Sequence, residues 1–152
     1  MRRKSLATMR CSVARTLDVV GDPWTLLIVR DALFGFRRFD DFVERLGIPR
    51  TTLSQRLGAL VDAGVLETRT YQDRPPRHEY VLTTKGRALQ PVIISLLRWG
   101  DEWAGLAEPP VVLVDRSSGR PLSLEYVDTA SGRPLSEIDV WSGTGPPPPH
   151  DG

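Results

Sequence analysis

The stretch RFDDFVERLGIPRTTLSQRLGALVDAG constrains the fold of this chain more than any other. Phe39, Phe42, Val43 and Leu46 recur at i, i+3, i+4 and i+7, the apolar stripe of one short helix. Leu53, Leu57, Leu60 and Val61 form the stripe of a second. Between them stand only Gly47, a helix stop, and the connector Ile48-Pro49-Arg50, after which Thr51 or Thr52 is expected to cap the second helix. Two helices joined this tightly must cross at a steep angle to bury both stripes. The spacing therefore predicts a helix-turn-helix.

The flanking segments extend that unit. PWTLLIVRDALFG fits a helix with Asp22 as cap, Pro23 at the first helical position and Gly35 as stop, its apolar positions being Trp24, Leu27, Ile28 and Val29. After Gly64 the period drops to two: VLETRTY, a polar turn QDRPPR, then HEYVLT, which predicts a hairpin. Thr83 or Thr84 is expected to start a long helix reaching about Gly105, with Pro91 kinking it or ending its first turn. The expected fold class is α+β: a winged helix-turn-helix, mainly helical with a two-stranded wing. Past Glu108-Pro-Pro, the runs VVLVD, LSLEYVD and IDVW, separated by SSGRP and SGRP turns, predict a small β-rich extension. The expected organisation is an arm over 1–9, a DNA-binding and dimerisation domain over 10–107, the extension over 108–142 and a disordered tail over 143–152.

Charge and composition narrow the function. The net charge of +1 conceals an asymmetry: residues 1–107 hold 17 Lys or Arg against 12 Asp or Glu, and residues 108–152 hold three against seven. A basic body points to an anionic partner. No apolar run approaches the roughly 18 residues of a membrane helix, and Met-Arg-Arg-Lys-Ser does not lead into a secretory signal, so a cytoplasmic protein without membrane contact is expected. The single cysteine, Cys11, excludes an internal disulfide and a cysteine-built metal site. His78 and His150 have no carboxylate or cysteine at ligand spacing, and no glycine loop is set to cradle a phosphate. Asp40, Asp41 and Glu44 cluster where a helix dipole accounts for them. The expectation is a non-enzymatic protein with neither cofactor nor metal.

The outward side of the second helix of the pair offers Arg50, Thr51, Thr52, Ser54, Gln55 and Arg56 near its N-terminal end. Free backbone N–H groups there suit a phosphate, while Gln and Arg reach base edges in a major groove. Arg37 and Arg38 begin the preceding helix, placed to hold the DNA backbone, and Arg74 and Arg77 are expected on the wing tip. Alone, such a face could be merely solvated. The order helix, tight turn, polar-headed helix, basic hairpin is what makes it a double-stranded DNA surface. Leu96, Leu97, Trp99 and Trp103 give the last helix more apolar surface than a body of this size covers, so a second copy is expected to pack there.

The stretches CSVARTLDVVG, PWTLLIVRDALFG, RRFDDFVERL, TTLSQRLGALVDAGVL, TYQDRPPRHEYVLTTKG and LLRWGDEW together resemble the HxlR-type family of bacterial winged-helix regulators, relatives of the MarR group. The resemblance implies a homodimeric transcriptional regulator, more often a repressor, whose terminal helices pair across a two-fold axis over a roughly palindromic operator. It also implies that Cys11 occupies the position of the reactive thiol in redox-sensing members, and it leaves room for a small-molecule effector. The segment Gly21-Asp22-Pro23-Trp24 departs from the family's more usual Gly-Gly-Lys-Trp and removes a basic residue. Some members carry a C-terminal extension with Cys-x-x-Cys-Gly knuckles. Here Asp115-Arg-Ser-Ser-Gly and Asp128-Thr-Ala-Ser-Gly resemble a degenerate, cysteine-free version of that zinc ribbon, with two carboxylates too few for a calcium cage. The alternative reading is a protein-interaction or ligand-sensing module that works through this acidic extension.

Overall fold

A computed structural model describes residues 5–105 and 107–140. The expected tail over 143–152 and His150 lie outside the described residues. Two compact units divide the chain between Leu106 and Ala107.

The first unit runs α1 (Ser12–Val20), α2 (Pro23–Leu33), α3 (Phe39–Leu46), α4 (Arg50–Asp62), β1 (Leu66–Asp73), β2 (Pro76–Leu82), α5 (Thr84–Arg87) and α6 (Gln90–Trp103). This is the winged helix-turn-helix order. Asp22 caps α2 as expected, its Oδ1 accepting from the amides of Trp24 at 3.1 Å and Thr25 at 3.3 Å. Gly47 ends α3 in the left-handed region at φ 61°, which turns the chain within Ile48-Pro49 into α4. Ile48 is buried beneath the turn and joins Ile28, Val29, Phe42, Leu53, Leu57 and Leu60 in one core cluster. The two stripes read from the sequence therefore meet, and α2 closes the core behind them.

One core member is charged. Asp31 is completely buried, yet it accepts from Arg30 Nε at 2.9 Å and from Arg45 Nε at 3.0 Å, tying α2 to α3. Arg45 also lies over the Phe36 ring, 3.7 Å from its centroid. A buried charge survives only when it is paired and hydrogen-bonded in this way. The helix stripes gave no sign of it, since Asp31 falls among apolar neighbours.

Three boundaries differ from expectation. Neither Thr51 nor Thr52 caps α4: the cap position is Pro49, whose ring cannot accept a hydrogen bond, and the threonines stand inside the first turn. The long helix predicted from Thr83 is broken in two, because Thr83 caps the single turn of α5 and Pro91 opens a separate α6. The hairpin pairs further out than the polar turn implied. Gln72 faces Arg77 and Asp73 faces Pro76, so the strands leave only Arg74-Pro75 as the connection, and a register shift between Thr70 and Gln72 drops Tyr71 from the ladder.

The second unit is not β-rich. Its described residues hold two isolated bridges, Val114 with Pro121 and Val127 with Pro134, and a short 3-10 turn at Leu135–Glu137. None of its described side chains is buried, so no apolar layer extends the bridges into strands. The SGRP repeat nevertheless builds one structure twice. Gly119 and Gly132 have φ of 68° and 71°, and their amides donate to the carbonyls of Asp115 and Asp128 at 2.7 and 2.8 Å. The Asp115 carboxylate accepts from Ser118 Oγ at 2.7 Å and from the Ser117 amide and hydroxyl at 2.9 and 2.8 Å, which holds its pKa down at about 2. Asp128 accepts from Ser131 Oγ at 2.5 Å and from the Ala130 amide at 3.3 Å, and its pKa is lowered in the same way. Carboxylate and hydroxyl thus close each turn, in the pattern that Asx turns follow.

Candidate nucleic-acid interface

The start of α4 presents its first turn outward. Arg50, Thr51, Ser54 and Gln55 are exposed and Thr52 is half-buried, while Leu53 and Leu57 point into the core. Because Pro49 supplies no side-chain cap, the first amides of α4 meet no capping side chain, and an anion can take that place.

Beside this turn, two of the expected DNA contacts are already engaged. Arg50 Nη1 lies 2.9 Å from Asp40 Oδ1, and its guanidinium sits 4.8 Å from the Phe39 ring centroid. Both ions of that pair are largely exposed, so water screens the contact and a phosphate can compete for the arginine. Arg56 is different. It is half-buried, its Nη2 lies 3.0 Å from Asp22 Oδ2, and its Nε is buried without a partner. Asp22 thus does two things at once, capping α2 with one oxygen and holding the recognition helix with the other. The unusual Gly-Asp-Pro-Trp segment gains a structural reason, and Arg56 carries a fold contact that its outward position in the sequence did not announce.

The wing is joined to α3 by more than proximity. The Tyr80 amide donates to Arg37 O at 2.8 Å, Arg38 bridges Glu79, and Arg37 Nη1 stands 3.8 Å from Glu79 Oε1. Residues 37–38 therefore form a short third line against β2. The tip and flank of the wing separate the two wing arginines: Arg74 is at the turn, whereas Arg77 lies in β2. Arg38 and Arg77 line one cleft of about 440 Å³ together with Phe39, Asp40, Tyr71 and His78. Tyr71, released by the register shift, lies under the Arg38 guanidinium at 4.8 Å, and His78 Nδ1 is 3.2 Å from Thr70 Oγ1. Tyr71 and His78 were not expected at this surface. A bulge re-aims a side chain without leaving a mark on the period-two pattern.

Apolar surface collects on α1 and α6. Leu96, Trp99 and Trp103 are 50%, 63% and 66% exposed, and Val92 continues the same face at 39%. Leu97 is half-buried, and Val13 and Leu17 are exposed on α1. Cys11 is exposed at the cap position of α1, its carbonyl accepting from the Arg15 amide at 3.0 Å. Arg15 Nε donates to Met9 O at 3.0 Å. Among the described residues, no helix is long and apolar enough to cross a membrane.

Residues 19–108 match the HxlR-like helix-turn-helix family. The chain belongs to that family. The chain is similar to Rv3095 of Mycobacterium tuberculosis, named as an uncharacterised HTH-type transcriptional regulator, 49% identical over 109 residues that cover 71% of this chain and 69% of the relative. The solved structure of PA1607, a candidate transcription factor, superposes with a TM-score of 0.80 at 38% identity, covering 92% of this chain and all of that one. The reduced form of the redox regulator HypR matches with a TM-score of 0.59 at 30% identity, over 62% of this chain and 95% of its own. HxlR-like proteins are DNA-binding transcriptional regulators, a class without catalytic activity, and this chain is one of them. The family match ends at residue 108, and the likeness of the extension to a cysteine-free ribbon rests on its two turns closed by Asp and Ser, beside bridges that stay isolated.

Proposed function

We propose that this protein is a homodimeric repressor that acts in the cytoplasm on a palindromic operator. The observation that carries the reading is the exposed, uncapped first turn of α4 set beside a wing that is hydrogen-bonded to the start of α3. Thr51, Thr52, Ser54, Gln55 and Arg56 address the major groove. Arg37, Arg38 and Arg50 hold phosphates, and Arg74 and Arg77 reach the flanking backbone or minor groove from the wing. The domain over 10–107 does this work, and the segment 108–142 forms an accessory unit. The second copy packs on Leu96, Leu97, Trp99 and Trp103, which places two recognition helices on successive half-sites.

Support for the dimer is the continuous exposed face of α6, since Val92, Leu96, Trp99 and Trp103 recur at helical spacing and are left exposed by the described residues. The experiment is fluorescence anisotropy on duplexes from the upstream region of its own gene, run as a salt series with scrambled duplexes as control. Tight, sequence-selective binding whose logarithm falls linearly with the logarithm of salt concentration supports the regulator. Folded protein without selective binding sinks it.

A redox-responsive form of the same function is favoured by one observation. Cys11 is exposed, and HypR, a relative by structure, is solved in reduced and oxidised forms. Oxidant treatment should then change operator affinity, and Cys11→Ser should remove the change; an equal response in the variant rejects the thiol as sensor.

A further inference from the structure

The junction between α4 and β1 is clamped from one side. Thr83 Oγ1 donates to Gly64 O at 2.6 Å, the Thr83 amide donates to Val65 O at 3.1 Å, and Lys85 Nζ donates to Ala63 O at 2.6 Å. Three successive carbonyls at the C-terminal end of the recognition helix are thereby held by Thr83 and Lys85. The fit is close: a Cβ on Gly86 would lie 2.2 Å from Val65 O. Lys85 also places a positive charge at the negative end of the α4 dipole.

Against this clamp lies a cleft of about 240 Å³ between α1 and the α4–β1 junction, walled by Val19, Val20, Val65 and Leu89, with Arg15 and Lys85 as its charged residues. Among the described residues, no acidic side chain lines it. The volume is below the roughly 300–1,000 Å³ of pockets for drug-sized molecules, which limits the ligand to a small compound. Apolar walls select a hydrocarbon or aromatic body, and two exposed cations without a lining carboxylate select a single negative charge.

We propose that this cleft binds a small amphipathic monocarboxylate, whose charge is taken by Arg15 and Lys85 while its apolar body rests on Val19, Val20, Val65 and Leu89. The ammonium has three N–H donors, and a carboxylate that draws it toward Arg15 strains its bond to Ala63 O. Occupancy draws Lys85 from the clamp and loosens the end of the recognition helix, so ligand binding and the clamped state oppose one another. The effect on DNA rests on the regulator reading above; the site and its coupling to Ala63 do not.

The test uses the full chain, labelled at valine and leucine methyls and backbone amides, titrated with benzoate and with benzamide as the uncharged isostere. Benzoate should shift the Val19, Val65 and Leu89 methyls saturably and move the Gly64 and Val65 amides in step. Benzamide should bind at least about tenfold more weakly, as should benzoate to Arg15→Gln and to Lys85→Gln, in which the glutamine amide retains a donor for Ala63 O. Three results overturn the proposal: methyls that do not respond, as when a second copy covers the cleft; equal binding of the amide; or methyl shifts with still Gly64 and Val65 amides. A parallel anisotropy titration keeps the two readings apart. Benzoate shifts in a protein that binds no operator would sink the regulator and leave the site standing.

Discussion

Replacing Arg56 by methionine should weaken DNA binding while leaving the fold nearly as stable. The Arg56–Asp22 pair is 37% and 26% exposed at its two side chains, so its loss costs about 0.5–1 kcal/mol rather than the larger figure of a buried pair. Against that, methionine removes the buried Nε that has no partner, a group whose desolvation costs roughly 1–3 kcal/mol when unmet. Its flexible stem also fills much of the space that the arginine stem leaves. The two effects nearly cancel, and the net change should stay within about 1 kcal/mol. On DNA there is no such offset: losing an arginine that contacts a base edge costs about 1–3 kcal/mol, roughly a ten- to hundredfold rise in Kd. Urea unfolding followed by tryptophan fluorescence at fixed protein concentration gives the first number, and operator anisotropy at fixed salt gives the second. Asp22→Asn is the control. Asparagine still caps α2 but loses the charge beside Arg56 and the α2 dipole, so stability should fall by about 1–2 kcal/mol with operator affinity maintained. Should Arg56→Met destabilise by more than about 2 kcal/mol, the cancellation is wrong. Should it bind operator like the parent protein, Arg56 is a strut and does not touch DNA.

Asp31→Asn should cost about 3 kcal/mol in the same urea assay, because Arg30 and Arg45 lose the buried charge that both address; a loss under about 1 kcal/mol would show that the ion pairs contribute little. Gly86→Ala should destabilise by roughly 1–3 kcal/mol, since its Cβ meets the Val65 backbone carbonyl at 2.2 Å as well as the Leu82 side chain at 2.8 Å, and only the side chain could turn away. It should also disturb the Gly64 and Val65 amides, and an unchanged amide spectrum would refute the close fit. The turn at Asp115 has a pH signature. Its pKa is depressed from the ordinary 3.8 to about 2, so its contribution is complete above 3.8 and is lost as pH falls through 2. The Ser117 amide shift should follow that low titration, and a midpoint near 3.8 would show that the hydroxyl bonds do not hold the carboxylate.

Most of the body was legible because its signals are local and redundant. Phe42, Leu53, Leu57 and Leu60 mark their helices by spacing alone, and Asp22 with Pro23 marks a helix start in two independent ways. What was missed depends on contacts between distant residues. Asp31 looks like a solvated residue until Arg45, fourteen positions on, turns back to it. Pro49 displaces the expected threonine cap because the turn after Gly47 leaves no spare residue before α4. The extension failed for another reason: alternating runs such as LSLEYVD predict strands only if a layer exists to bury one face, and none of its described side chains finds such a layer. At the candidate interface the residue types were correct, but exposure and pairing were not readable. Arg50 and Arg56 belong to the same helix and look alike in the sequence, yet one meets an exposed carboxylate and the other a half-buried one.

The extension's turns also carry a consequence for the order in which the chain acquires structure. Their backbone bonds join Asp115 to Arg120 and Asp128 to Arg133, and the outermost, Leu113 to Leu122 and Tyr126 to Leu135, close loops of nine residues. Loops of that length meet within about 10–100 ns and hairpins settle within about 1–10 µs. The body must bring Asp31 to Arg45, fourteen positions on, and Arg37 to Tyr80, across a far longer stretch of chain. The extension's two turns should therefore be among the first parts to take shape, formed without depending on the slower body.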